Sequence, residues 1–280
     1  MILKNKTLEK YEKLKLRFRD LESVIIGFSG GIDSTLVVKV ATDELKQNAI
    51  AVIGRSKTLP ESEYFAAKKI ANEIGANILE IFTEETDDLK FKSNPIDRCY
   101  YCKNELFGKL EEIAIEKNIN WICDGSIVDD SFDFRPGTKA RKEKNIISPL
   151  LEIGFTKSDV RELAEFLKLS NFDKPSSPCL SSRFPYGTEI TDEKLLRIEI
   201  AEDFMKELGF KIVRVRFHDE KTARIEVMQN EIAKLYQDNL ISKIIIKFKE
   251  IGFTYITVDL EGFRSGSMNE VLKFETNFNL

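Results

Sequence analysis

Three cysteines stand where thiol chemistry is possible. Cys99 and Cys102 form a Cys-Tyr-Tyr-Cys motif, a spacing at which two thiolates commonly bind one metal centre. Cys179 stands alone in the proline-rich stretch KPSSPCLSSRFPYG. Structural zinc needs four ligands, whereas three thiolates leave one iron of a [4Fe-4S] cluster open to an external ligand. The sequence therefore favours a [4Fe-4S] cluster on these cysteines, with a zinc site or a redox pair plus a spare thiol as alternatives.

The remaining composition predicts a cytoplasmic protein with no membrane partner. Charged residues of both signs are mixed, the formal net charge is -4, and no apolar run reaches the roughly 18 residues of a membrane span. The N-terminus lacks the apolar core of a secretory signal. The thiols are therefore expected to stay reduced, and Cys123, inside the apolar run WICDG, is expected to be a buried core residue.

A glycine loop, residues 29–34 with the sequence SGGIDS, follows the first predicted strand and opens a helix. Its two glycines let the backbone approach an anion, and the helix start offers unpaired N–H groups, so phosphate is the expected ligand. Asp33 is placed to cap the helix or to hold Mg²⁺, and no lysine follows the glycines as a Walker A loop requires. The predicted contacts are Phe28, Ser29, Gly30, Gly31, Asp33 and Ser34.

Apolar runs at 24–28, 49–53, 78–82 and 121–123 alternate with helical patterns. Nearly continuous apolar strands separated by helices predict an α/β fold with a doubly wound parallel sheet, whose ligands bind at the carboxyl ends of the strands. Residues after the second and fourth runs are therefore candidate nucleotide contacts, with ordinary turns as the alternative: Gly54, Arg55, Ser56 and Gly125.

A proline-rich stretch at 175–187 marks a domain boundary. We expect the α/β domain over residues 1–183 and a smaller α+β domain for substrate binding and oligomerisation over 184–280. The predicted elements of the second domain are helices at 192–208 and 241–251 and strands at 212–217, 223–228 and 254–259. Neither part carries an excess of basic residues, which argues against a nucleic-acid interface.

Arg214 and Arg216 alternate along the first predicted strand of the second domain, so their side chains share one face. The planar fork of arginine suits phosphate and carboxylate groups. A solvated surface is the alternative interpretation for Arg216 and for Arg224.

Motifs along nearly the whole chain resemble two nested families. The glycine loop resembles the PP-loop of the ATP pyrophosphatase superfamily, whose adenine nucleotide α-hydrolase-like members cleave ATP between the α and β phosphates and leave an adenylated substrate. Together with DRCYYCK, DFRPG, SPLLEIGFTKSDVRELA, PCLSSRFPYGTEIT, RVRFHDEKTARIEV and DLEGFRSGSMNE, the loop resembles the LarE family.

The LarE resemblance implies an ATP-dependent sulfur transferase. Members adenylate a carboxylate of pyridinium-3,5-biscarboxylic acid mononucleotide and insert sulfur, during synthesis of the nickel-pincer nucleotide cofactor of lactate racemase. In one branch the enzyme sacrifices its own cysteine, which becomes dehydroalanine, and Cys179 stands at that position. A second branch uses three cysteines around a [4Fe-4S] cluster, and Cys99 with Cys102 places this chain there.

The resemblance also implies roles for individual residues and partners. It implies ATP, Mg²⁺ and a [4Fe-4S] cluster as cofactors, a small nucleotide substrate, sulfide or another sulfur donor, and a homo-oligomer. A tRNA thiolase with the same loop and cluster is the alternative enzyme, and a non-catalytic nucleotide-binding or iron-sulfur scaffold is a further alternative. The implied residues are Cys179, Asp33 and Arg183 for catalysis, Glu202, Arg214 and Arg216 for substrate phosphate, and Cys99, Cys102 and Cys179 for the cluster.

Overall fold

The computed structural model describes residues 3–132, 136–175, 177–237 and 239–271, so the first three residues of the DFRPG motif lie outside the described part. The chain divides into a first unit, Met1–Phe91 with Ile96–Ser177, and a second unit, Lys92–Pro95 with Pro178–Leu280. This division precedes the boundary that we expected at 183. The Cys179 segment lies in the second unit, where Arg183 pairs with Glu202 and the Ser182 carbonyl accepts a hydrogen bond from Arg216.

The first unit is built on a parallel sheet, as the sequence predicts. Its strands have the order β3-β2-β1-β4, with all neighbours parallel. The strands are β1 (Val24–Gly27), β2 (Ala49–Arg55), β3 (Asn77–Phe82) and β4 (Trp121–Cys123). The helices are α1 (Asn5–Leu21), α2 (Ile32–Leu45), α3 (Glu61–Ile74), α4 (Leu89–Lys92), α5 (Arg98–Lys117), α6 (Gly137–Glu143), α7 (Pro149–Ile153) and α8 (Lys157–Phe166).

Apolar side chains alternate between the two faces of this sheet. Ile25 and Val52 pack on one face with Phe107 and Leu110 of α5. The other face packs in a larger core with α1, α2, α3 and α8. Helices therefore cover both faces, which confirms the doubly wound α/β prediction.

The order of the strands fixes where a ligand would bind. From β1 the chain moves to β2 and β3 on one side, and β4 then returns to the other side of β1. The carboxyl ends of β1 and β4 therefore flank the point where the strand order reverses, which is the usual ligand crevice of such sheets. The glycine loop follows β1, and Asp124 and Gly125 follow β4.

The second unit holds a three-stranded mixed sheet with two helices, in agreement with the predicted α+β region. The strand order is β5-β6-β7, antiparallel between β5 and β6 and parallel between β6 and β7. The core of this unit contains the rings of Phe184, Phe217 and Phe253. The elements are α9 (Asp192–Glu207), β5 (Val213–Phe217), β6 (Thr222–Val227), α10 (Leu240–Ile251) and β7 (Tyr255–Val258).

No helix in the described parts of the chain combines the length and apolar character needed to cross a bilayer.

A partly buried ion pair attaches α1 to the rest of the first unit. The ammonium of Lys10 donates to the carbonyl of Gly154 and to the Asp159 carboxylate, both at 2.6 Å. Asp159 also completes the capping box of α8 by accepting from the N–H of Thr156. Burial raises the pKa of Asp159, but the hydrogen bonds from Lys10 and Thr156 outweigh it and lower that pKa to about 2.

Replacing this carboxylate tests the attachment of α1. Asp159→Asn is expected to lower the free energy of unfolding by about 2 kcal/mol near pH 7. The folded pKa lies below the unfolded value of about 3.9, so the stabilisation is complete above that value and is lost as the pH falls through the folded pKa. Urea titrations near neutral pH and near pH 2 measure the free energy of unfolding of variant and wild type. The difference in this free energy between the two proteins should shrink in acid.

Asp43→Asn is the matched control. Asp43 pairs with Lys39 one turn away on the exposed side of α2. This change should move the unfolding free energy by less than about 0.5 kcal/mol. A loss in Asp159→Asn that is equally large at both pH values would contradict the ion-pair explanation.

Candidate functional site

The glycine loop is held in a conformation that only glycine adopts easily. Gly30 has a φ of 69°, and a Cβ there would lie 2.7 Å from the Cβ of Ala67 on α3. Gly31 is the N-cap of α2, and its carbonyl accepts hydrogen bonds from Ser34 Oγ at 3.1 Å and from the Thr35 N–H at 2.9 Å. The loop therefore leads directly into a helix N-terminus, the backbone arrangement that suits a phosphate.

The two predicted serines of the loop lie together. The hydroxyl oxygens of Ser29 and Ser34 are 3.2 Å apart, and the Ser29 N–H donates to Ser34 Oγ. Phe28 is buried in the core, and its N–H donates to the Val52 carbonyl of β2. These contacts fix the start of the loop to the sheet.

The Asp33 carboxylate meets a lysine that the sequence analysis did not single out. Asp33 Oδ2 lies 2.6 Å from Lys157 Nζ. Lys157 is the first residue of α8, where the helix dipole disfavours a positive charge, so its position in TKSD was a usable signal. A carboxylate and an ammonium at the glycine loop can serve Mg²⁺ and phosphate, respectively.

The loop after β4 contacts the first turn of α2. A Cβ on Gly125 would lie 2.7 Å from the Ser34 nitrogen. Buried Asp124 fixes this loop, because it accepts hydrogen bonds from the hydroxyls of Ser126 at 2.7 Å and Ser148 at 2.6 Å. The structure therefore brings predicted Gly125 against the glycine loop.

The carboxyl end of β2 carries the other three predicted contacts. Gly54 and Arg55 end the strand, and Ser56 follows it. Arg55 pairs with Glu61 at 3.1 Å, and its guanidinium lies 4.7 Å from the ring centroid of Tyr64. Because β2 pairs with β1 in parallel, these residues share the sheet edge from which the glycine loop starts.

The two neighbouring cysteines lie in the first turn of α5. At a separation of three residues, Cys99 and Cys102 lie on the same side of that helix. Cys102 Sγ is 3.9 Å from Oε1 of Glu85, a buried carboxylate that also accepts from the Thr58 hydroxyl at 2.8 Å. Glu85 was not predicted, because nothing in the acidic run TEETDD distinguishes it from its neighbours.

Cys99 and Cys102 belong to the first unit. Cys179 belongs to the second unit. Within the described ranges, no three His, Cys, Asp or Glu side chains are arranged to hold a metal ion. The described side chains thus do not form a complete ligand set for a [4Fe-4S] cluster. Cys123 is fully buried and burial raises its pKa, in accord with the expected core thiol.

Arg183 holds the backbone that carries Cys179. Its guanidinium forms two 2.9 Å hydrogen bonds with Glu202 and also donates to the carbonyls of Pro178 and Cys179. Both charged side chains are almost completely buried. Burial raises the pKa of Glu202, but the charge of Arg183 prevails and the pKa ends below its usual value. These contacts indicate that Arg183 positions the Cys179 segment through its backbone.

Arg214 and Arg216 are both buried on β5. Arg216 lies 2.6 Å from Glu226 on the paired strand and contacts the Ser267 hydroxyl. Burial, with the nearby charge of Arg183, lowers the pKa of Arg214 to about 10. The solvated-surface interpretation therefore fails for Arg216, because Glu226 and Ser267 supply partners inside the protein.

Arg224 is likewise paired rather than simply solvated. Its guanidinium lies 3.0 Å from Glu226 and 3.5 Å from Asp259. Arg214 and Arg216 thus place two buried guanidinium groups on one face of β5, and such groups suit phosphate and carboxylate ligands.

Comparison with known proteins decides the family. A pyridinium-3,5-bisthiocarboxylic acid mononucleotide synthase from Lactiplantibacillus plantarum is 40% identical over 264 residues, which cover 94% of this chain and 95% of that protein. This chain belongs to the LarE family. An uncharacterized protein of Synechocystis is 43% identical over 263 residues, covering 94% of this chain and 98% of that protein. The NAD synthase family model matches residues 5–96, which include the glycine loop.

Membership of the LarE family accounts for the loops that follow β1, β2 and β4 at the carboxyl end of the parallel sheet. The protein is an ATP-using enzyme, and at the level of the family its activity is ATP-dependent sulfur transfer in cofactor biosynthesis. A more distant relative, a GMP synthase of Archaeoglobus fulgidus, is 26% identical over 216 residues, covering 70% of this chain and 68% of that protein. The similarity thus extends beyond the LarE family.

Gly125→Ala tests the contact between the β4 loop and the glycine loop. The added Cβ must displace the Ser34 backbone, and overpacking of this kind costs about 1–3 kcal/mol. If the displaced groups bind ATP, the affinity for Mg-ATP should fall by roughly tenfold or more. Isothermal titration calorimetry measures this affinity, and circular dichroism checks the fold.

Gly108→Ala is the matched control, because a Cβ at this position of α5 meets nothing within 4 Å. It should leave ATP affinity unchanged and stabilise the helix by about 0.5–1 kcal/mol. Wild-type affinity in folded Gly125→Ala would show that the β4 loop lies outside the nucleotide site.

Proposed function

We propose that this protein adenylates a carboxylate of a small nucleotide with ATP and then replaces the AMP with sulfur. The observation that carries the proposal is the glycine loop with its Asp33–Lys157 pair, in a chain 40% identical to a pyridinium-3,5-bisthiocarboxylic acid mononucleotide synthase. A carboxylate resists nucleophiles because of its charge. Transfer to AMP removes that charge and supplies a leaving group, which explains why sulfur insertion needs ATP.

The ATP half of the reaction is assigned to the first unit. The N-terminus of α2 and the serines of the glycine loop bind the phosphates. Asp33 would hold Mg²⁺, which would supply positive charge to the leaving pyrophosphate, and Lys157 would move from Asp33 to a phosphate oxygen. An ammonium already at 2.6 Å from the carboxylate supports this exchange, because both charged groups are in place at the loop before the nucleotide binds.

The substrate is proposed to be pyridinium-3,5-biscarboxylic acid mononucleotide, which carries carboxylates and a phosphate. The two buried arginines on one face of β5 support an anionic substrate, with Arg214 and Arg216 as its contacts and Glu202, whose charge is near Arg214, as the acidic partner. The balanced charge of both parts of the chain argues against tRNA in that role.

For the sulfur, we propose the three-cysteine route with a [4Fe-4S] cluster on Cys99, Cys102 and Cys179, fed by sulfide or another donor. The adjacent thiols on α5 support two of the three ligands. Direct sacrifice of Cys179 is the competing route. We further propose a cytoplasmic homo-oligomer with a part in nickel-pincer nucleotide synthesis and so in lactate racemase maturation, as the family resemblance implies.

The products of ATP turnover test the first step. Turnover that depends on the carboxylate substrate should release AMP and pyrophosphate, measured by chromatography of the nucleotides and an enzyme-coupled pyrophosphate assay. Asp33→Ala should reduce turnover about 100-fold or more, because it removes the proposed Mg²⁺ ligand. Asp43→Ala, on the exposed side of the same helix, is the control and should keep wild-type turnover. ADP and orthophosphate as direct products would sink the proposal.

Cysteine variants separate the two sulfur routes. In the cluster route, alanine at Cys99, Cys102 or Cys179 lowers iron content and sulfur transfer together, whereas Cys123→Ala changes neither. Iron analysis and absorption spectra of protein purified without oxygen measure the cluster. In the sacrificial route, intact-protein mass falls by roughly 34 Da at Cys179 after one turnover, since its sulfur is lost. Such a mass loss, with full activity in Cys99→Ala, would overturn the cluster route.

A further inference from the structure

The side-chain amide of Asn171 contacts the glycine loop from a distant part of the chain. Asn171 lies in the segment after α8 and is 4% exposed. Its Nδ2 donates to the Gly30 carbonyl at 3.1 Å and to Thr35 Oγ1 at 2.9 Å. Both hydrogens of the NH₂ group thus form hydrogen bonds with a segment that is distant in the sequence. Gly30 is 141 residues from Asn171, and Thr35 is 136 residues from it.

Thr35 passes this contact on to the second glycine. The Thr35 side chain is completely buried, and its hydroxyl donates to the Gly31 carbonyl at 2.8 Å. A threonine hydroxyl can accept one hydrogen bond while it donates another. One amide therefore holds two successive carbonyls, that of Gly30 directly and that of Gly31 through Thr35.

The orientation of the amide follows from its neighbours. With the amide reversed, Oδ1 would face the Gly30 carbonyl oxygen, and two acceptors would meet with no hydrogen between them. In the observed orientation Oδ1 is buried and, among the described residues, has no hydrogen-bond partner. The Nδ2 side of the amide therefore makes both contacts, at the cost of leaving the buried Oδ1 without a hydrogen bond from any described residue.

Holding these carbonyls sets the direction of the next two N–H groups. In a planar trans peptide, the C=O and the following N–H point in opposite directions. With the Gly30 carbonyl turned toward Asn171, the Gly31 N–H points the other way, where it makes a long 3.4 Å contact with Ser29 Oγ. The Gly31 carbonyl likewise sets the N–H of Ile32, the first residue of α2.

We propose that Asn171 is a positioning residue for ATP, which orients the N–H groups of Gly31 and Ile32 toward the phosphates by fixing the two preceding carbonyls. Asn171 itself does not touch the nucleotide. The inference rests on the proposed role of the glycine loop as the ATP site and adds the residue that sets the loop's geometry. Without the Asn171 amide, the peptide planes that follow Gly30 and Gly31 would be free to rotate. The N–H groups would then no longer be aligned toward the phosphates.

Asn171→Asp is the sharpest test, because it keeps the shape of the side chain and removes its donors. The probe is α,β-methylene ATP with Mg²⁺, which cannot be cleaved at the α–β bond, and calorimetry measures its dissociation constant. Near pH 8 the variant should bind at least about tenfold more weakly than wild type. Toward pH 5.5 this ratio should shrink, since a protonated buried carboxyl regains one donor. A purely structural role predicts no such recovery of affinity.

A second pair of variants keeps the inference testable if Asn171→Asp does not fold. Thr35→Val removes the hydroxyl that reaches Gly31 and keeps the shape, whereas Thr35→Ser keeps the hydroxyl. Weak binding in the valine variant and wild-type binding in the serine variant are expected. Asn72→Asp, exposed on α3, controls for the added charge and should bind as wild type.

Wild-type affinity in folded Asn171→Asp and in Thr35→Val would overturn the inference. The outcome is separable from that of the proposed function, because binding of the analogue requires neither adenylation nor sulfur. If binding depends on Asn171 but ATP turnover gives ADP, the positioning role holds and the proposed function fails. If wild-type protein does not bind the analogue, both fail.

Discussion

Close packing of backbone against backbone at the start of α2 is the constraint on which the first unit depends. Gly30 fits against Ala67 of α3, and Gly125 fits against Ser34, in spaces that hold no Cβ. These contacts bring α3 and the loop after β4 to the carboxyl end of β1, where the strand order reverses. A phosphate can then meet N–H groups that are already fixed, so the protein does not have to order the loop when ATP binds.

Charges in both units are paired before any ligand is present. Asp33 has Lys157, and the buried arginines of β5 have Glu202 and Glu226 within their networks. An isolated buried charge would be costly, so a site for multiply charged nucleotides needs internal counter-charges in the free protein. Asp33 and Lys157 balance each other at the glycine loop in the same way. We infer that Lys157 exchanges Asp33 for a phosphate oxygen when Mg-ATP binds.

The sequence predicted those features that depend on short-range patterns of residues, namely the strands and the faces of the strands. Apolar runs located all four parallel strands within a residue or two, and the alternation of Arg214 and Arg216 placed both on one face of β5. Glu85 and Asn171 escaped prediction because their contacts join segments far apart in the chain, and a glutamate or an asparagine in a polar stretch looks like a solvated residue. The burial of Arg183 escaped for the same reason, since only the fold brings Glu202 to it.

The way in which Arg183 holds the Cys179 segment bears on the chemistry of the thiol. Arg183 donates to the backbone carbonyls of Pro178 and Cys179 and to Glu202, so the segment is anchored through its main chain. A proline on the N-terminal side and a 3-10 turn at Leu180–Arg183 restrict the backbone further. Because the anchor does not use Sγ, the segment would stay in place in either of the two proposed sulfur routes. The two routes differ in whether they need the thiols of Cys99 and Cys102 on α5.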